Sequence, residues 1–179
     1  MHTRTLTGPL TAALLATLSL TAGQATAAPT TPTATVVLTY DAGSSAEFRS
    51  AVDRSAAIWN ESVDAVELRP ATAGRRANIR VLADNGWPRA ARTTLGNGTV
   101  YIGRQAVDQG YDTIRISAHE LGHILGLPDR KPGPCSSLMS GSSAGTACVN
   151  PYPDTREKAE VEAAFAGRTP AAGPRTTVG

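Results

Sequence analysis

Lysine, cysteine and histidine are all scarce in this 179-residue chain, and each shortage narrows what it can be. The only lysines are Lys131 and Lys158, and the only adjacent basic pairs are Arg75-Arg76 and Arg130-Lys131. A chain with a formal net charge of +2 and no basic stripe has no means of tracking phosphates, which argues against nucleic-acid binding. No stretch reaches 18 uninterrupted apolar residues, so a membrane-spanning helix is not expected. Internal repeats, a glycine-rich phosphate loop and a heptad run are also missing. Only Cys135 and Cys148 are available for a disulfide, and of three histidines His2 stands apart from the pair His119 and His123.

What is present begins with an export signal. Arg4 precedes the first acid, Asp41, and is followed by an apolar run, Leu10 to Leu20, and by the small residues Ala25-Thr26-Ala27-Ala28. That order reads as a signal peptide over 1–27, so secretion is expected. The signal carries one arginine and no acid, and its loss lowers the formal charge from +2 to +1. Residues 28–34 read as a short linker or propeptide, 35–166 as one catalytic-size domain and 167–179, rich in Gly, Pro and Thr, as a disordered tail. Outside the cell two cysteines pair by default, and a Cys135–Cys148 bridge closing 14 residues contributes about 3 kcal/mol in the chain-entropy model.

Periodicity predicts an α+β domain. Ala34 to Tyr40 reads as a strand ended by Asp41-Ala42-Gly43. Ser44 with Glu47 has capping-box spacing, and Phe48, Val52, Ser55 and Trp59 then form the inward stripe of a helix. Val63 to Leu68 and Asn78 to Ala83 read as strands, Asp84 to Arg89 as a loop, and 98–104 as an edge strand suited to pairing with an extended peptide. A second helix is expected over Thr113 to Leu125, with Asp112 as N-cap and Gly126 ending it, and a short third one over Asp154 to Ala166.

The second helix carries His119-Glu120-Leu121-Gly122-His123. At i and i+4 the two imidazoles point to one side of a helix and fill two positions of a tetrahedral zinc site. Glu120, one residue round, is too far to share the metal readily but can reach a water there, as a general base must. No further histidine is available, so the third ligand is a carboxylate. Asp129, six residues past His123 beyond Gly126, is the nearest; the rivals are Asp154, Glu157, Glu160 and Glu162 on the third helix. A structural zinc site that only staples a binding module is the alternative, but it needs no carboxylate beside His119 and normally has four protein ligands.

The run His-Glu-Leu-Gly-His-Ile-Leu-Gly-Leu-Pro-Asp with Ser137-Leu138-Met139-Ser140 resembles the metzincin pattern with aspartate in place of its last histidine. That substitution is the mark of the snapalysins, small secreted bacterial neutral proteases, and the resemblance extends over about 34–166. It implies a small zincin-like domain with a twisted mixed sheet packed on an N-terminal helix and the active-site helix. It also implies zinc on His119, His123 and Asp129, catalysis by Glu120, a Met-turn at Met139, and a monomer acting on protein or peptide substrates with an aromatic residue just after the cut. A calcium ion is implied near the start of the active-site helix, at Asp112 and the Ile114 carbonyl. The family's tyrosine two residues after the aspartate is replaced here by Lys131, so Lys131, Arg130 and Tyr152 stand as candidate oxyanion partners.

Overall fold

Val36, Leu38, Tyr40 and Ala42 are buried and alternate with more exposed neighbours along β1 (Val36–Ser44), the period-2 signature of a strand with one face on the core. The computed structural model describes His2 and residues 34–168. The expected export signal apart from His2, most of the expected linker and the tail beyond Arg168 lie outside the described residues. Following β1 are α1 (Arg49–Ser62), β2 (Val66–Pro70), β3 (Ile79–Asp84), β4 (Arg89–Thr94) and β5 (Asn97–Gly103). A short α2 (Arg104–Asp108) leads to α3 (Thr113–Ile124), and after an irregular stretch α4 (Thr155–Phe165) completes the order.

The sheet has the order β2-β1-β3-β5-β4, parallel throughout except for β4, which runs antiparallel to β5. The α+β architecture with a mixed sheet is therefore as expected. Helices α1 and α3 meet where Trp59, fully buried, donates its indole N–H to the Ala118 carbonyl at 2.9 Å. Gly122 permits the close approach, since a Cβ there would lie 2.9 Å from Met139 Sδ and 3.2 Å from Trp59 Cζ2. Val161 and Phe165 of α4 join the same core, and Glu162 accepts from the Asp64 and Ala65 amides.

Three local expectations are corrected. β1 continues to Ser44, so the Ser44–Glu47 capping box does not form. Ser45 instead donates to Ala42 O, a 3-10 turn follows, and Glu47 is held by Arg104 at 2.6 and 2.8 Å. Residues 98–104 are not an edge, because β5 lies between β3 and β4. The edge on that side is β4, Arg-Ala-Ala-Arg-Thr-Thr, whose side chains are mostly exposed and whose sequence has neither alternation nor bulk to announce a strand.

The chain after α3 has little regular structure and is tied by polar groups. Cys135 and Cys148 form the expected disulfide. Buried Arg115 of α3 donates to the carbonyls of Ser137 and Asn150 and to Ser140 Oγ. From the other side the fully buried Glu157 of α4 accepts from Ser137 Oγ at 2.6 Å and from the amides of Leu138, Met139 and Asp154 at 3.0, 2.9 and 2.7 Å.

Candidate active site

The site is built on α3. Asp112 caps it, accepting the Arg115 amide at 2.7 Å, and the following turns bring His119 and His123 to one face. His119 Nδ1 lies 3.0 Å from Leu138 O and His123 Nδ1 lies 2.8 Å from Leu127 O. A carbonyl only accepts, so both Nδ1 atoms donate, and the nitrogen each ring has left to offer a metal is Nε2, which faces the cleft.

Gly126, at φ 109°, ends the helix, and Leu127-Pro128 returns the chain across its end. Arg130 N donates to Met139 O, which fixes the return and brings Asp129 over the two rings. Asp129 Oδ1 is 3.2 Å from His119 Nε2 and 3.5 Å from His123 Nε2, and the two Nε2 atoms are 3.1 Å apart. Three acceptors thus converge with no neutral donor among them, an arrangement that calls for a cation. Zinc bonds of about 2.1 Å at tetrahedral angles put ligand atoms about 3.4 Å apart, within the range of these separations. No other group of three such residues converges among the described residues.

The rival carboxylates are otherwise engaged. Asp154 caps α4, Glu157 holds the Leu138–Met139 segment, Glu160 pairs with Arg130 and Arg156, and Glu162 accepts backbone amides. Met139 is fully buried with its sulfur against Gly122.

Glu120 is buried beside these groups, and its Oε2 has no hydrogen-bond partner among the described residues. Burial pushes its carboxyl up to about 7. Burial, then the neighbouring His119, lowers the His123 pKa and favours the neutral ring.

These groups line a cleft of about 550 Å³ between β4 and α3. Near the start of α3 its wall is apolar and aromatic: Trp87 and Tyr111 meet edge-on at 5.8 Å, beside Ala106 and Ile116. Sequence reasoning missed Trp87 and Tyr111 as cleft residues, since neither stands in a motif of its own. Lys131 lines the cleft, its Nζ 3.2 Å from Asp129 Oδ2.

Two expectations fail here. Tyr152 lies away from the cleft, its hydroxyl bound between Arg54 at 2.7 Å and Glu61 at 3.1 Å on α1, and Arg130 is taken up by Glu160. The calcium site at Asp112 and Ile114 is not supported. Asp112 caps the helix, and the Ile114 carbonyl, the one oxygen that residue offers, lies 3.0 Å from Ser55 Oγ, packed against α1.

A His-Glu-x-x-His helix packed under a mixed sheet with an antiparallel edge strand, with a carboxylate folded back over both imidazoles, defines a zinc metalloendopeptidase of the zincin class. Residues 35–167 match the family model described as the Streptomyces extracellular neutral proteinase (M7) family, and the chain belongs to that family, as its resemblance to the snapalysins implied. It is 42% identical over 133 residues to an extracellular small neutral protease of Streptomyces caespitosus, a match covering 74% of this chain and 98% of that protein. A protein of the same description from Streptomyces lividans is 43% identical over 136 residues, and there the chain spans only 58% of the relative's length. Among solved structures, an archaemetzincin from Methanopyrus kandleri superimposes with a TM-score of 0.50 over 73% of this chain and 96% of that one. At 15% identity that likeness concerns the fold alone. No helix among the described residues is long and apolar enough to cross a membrane.

Proposed function

We propose that this chain is exported and cleaves peptide bonds in its β4–α3 cleft, with zinc held by His119, His123 and Asp129 and with Glu120 moving the proton. The observation that carries the reading is the buried, unpartnered Glu120 carboxylate beside three converging acceptors. When bound, zinc supplies the Lewis acidity that polarises a peptide carbonyl and makes water a nucleophile at neutral pH. Glu120, raised to about 7, is suited to take a proton from the attacking water and return it to the leaving amine.

Asp129 adds one negative charge to the ligand set, so a zinc site here is formally +1 where three histidines would leave +2. Lys131, replacing the family's tyrosine, is the ammonium within reach of the site and is our choice to hydrogen-bond the developing oxyanion. The free edge of β4 supplies main-chain hydrogen bonds to an extended peptide. The Trp87–Tyr111 end of the cleft suits an aromatic side chain on the carboxyl side of the cut.

The test compares wild type with Glu120→Gln for casein hydrolysis, with zinc per mole measured on both. The expected result is one zinc in each and a loss of activity of about 10² to 10⁴ in the variant. Equal hydrolysis by both would remove Glu120 from the chemistry, and a zinc-loaded wild type that cleaves nothing would leave a zinc-stapled binding module as the better reading.

A further inference from the structure

Along the cleft β4 and α3 run side by side in the same direction, which fixes where each end lies. Trp87 and Pro88, before β4, face Tyr111 and Ile116 at the start of α3. Arg92, near the end of β4, stands beside Gly126, where a Cβ would lie 3.5 Å from its Nη1.

The cations of the cleft are not equivalent. Arg89 is held by Asp84 at 2.6 Å and lies over the Tyr101 ring at 3.9 Å. Lys131 pairs with Asp129, and Arg115 is buried against backbone carbonyls. Arg92 is exposed and lines the cleft, and its side chain makes no hydrogen bond or ion pair among the described residues.

A peptide adding to the free edge of β4 gains most by running antiparallel to it, the slightly stronger ladder. Its amino-side residues then lie toward Arg92 and its carboxyl-side residues toward Trp87 and Tyr111. The same direction follows from an aromatic residue after the cut packing against the Trp87–Tyr111 pair.

We infer that Arg92 selects substrates carrying an acidic side chain within the few residues on the amino side of the scissile bond. The inference rests on the protease reading above. A bland alternative exists for Arg92, as a cation beside the carbonyl end of α3, and it makes no demand on the substrate.

The test uses three internally quenched peptides identical except for Glu, Gln or Lys at one amino-side position. They are scanned over the three positions before the bond, with cleavage mapped by mass spectrometry on zinc-loaded wild type and Arg92→Glu. An exposed pair of this kind predicts that wild type prefers Glu over Lys in kcat/KM by about two- to fivefold at one position, less at high salt. Arg92→Glu should invert that order, which loss of a helix-end contact would not do. An order unchanged in Arg92→Glu, no discrimination by wild type, or an acidic preference only on the carboxyl side would each overturn the selector while the protease stands. A zinc-loaded wild type that cuts none of the peptides would overturn both.

Discussion

The chain through α3 and the chain after it are held by different physics. In the first, Trp59, Ile79, Val81, Val100, Ile102 and their neighbours close an apolar core over a sheet. In the second, between the end of α3 and α4, an ionised carboxylate, a buried guanidinium and a disulfide organise a stretch that has no strand and only short 3-10 turns broken at Gly141. His119, Glu120 and His123 come from the first region. Asp129 and the carbonyls of Leu127 and Leu138, which orient the rings, come from the second. The difference teaches that the motif helix can be formed by hydrophobic burial while the geometry around it depends on buried polar groups, which respond to pH and reductant.

The comparison can be broken most severely in the first region. Trp59→Ala should cost about 4 kcal/mol by opening a cavity and losing the indole's hydrogen bond to the Ala118 carbonyl, and denaturant midpoints should show that cost unchanged between pH 4 and 7. In the second region, replacing Cys135 and Cys148 by serine should cost about 3 kcal/mol, and reductant should lower the wild-type melting temperature to match.

Glu157→Gln sharpens the contrast, with an expected cost of about 2 kcal/mol at neutral pH. Burial works against the Glu157 carboxylate, but the hydrogen bonds from Ser137, Met139, Asp154 and Leu138 together hold its pKa below the ordinary value of 4.5. Its stabilisation is therefore complete above about pH 4.5 and is lost as the pH falls through the lower folded value. Urea melts should find the deficit of the variant shrinking in acid; an equal deficit at pH 3 and 7 would contradict an ionised carboxylate as the tie. The smallest effect is expected from Asp112→Ala, about 1 kcal/mol from a lost helix cap, with calcium failing to shift the melting temperature of either form.

The site was more legible in the sequence than the sheet around it. Metal chemistry draws on few residue types, and with two histidines besides His2 the spacing His119, Glu120, His123, then Gly126 and Asp129, left few carboxylates to consider. Asp112 as a cap and the Cys135–Cys148 pair were readable for the same reason. β4 was not, because an edge strand buries little and needs no alternation, so its Arg-Ala-Ala-Arg run looks like a loop. β1 ran past Asp41-Ala42-Gly43 because the pairing of Ser44 with Leu82 of β3, invisible locally, outweighs turn-prone residues. Tyr152 could be placed only by its long-range partners on α1, Arg54 and Glu61.

The unpaired rim of β4 also has a cost in crowded solution, because two molecules could zip together there, sheet to sheet. Arg89 and Arg92 put positive charge along that rim, and joining two such rims would crowd like charges together. The residues that leave the rim open to a peptide thereby also make it a poor template for aggregation.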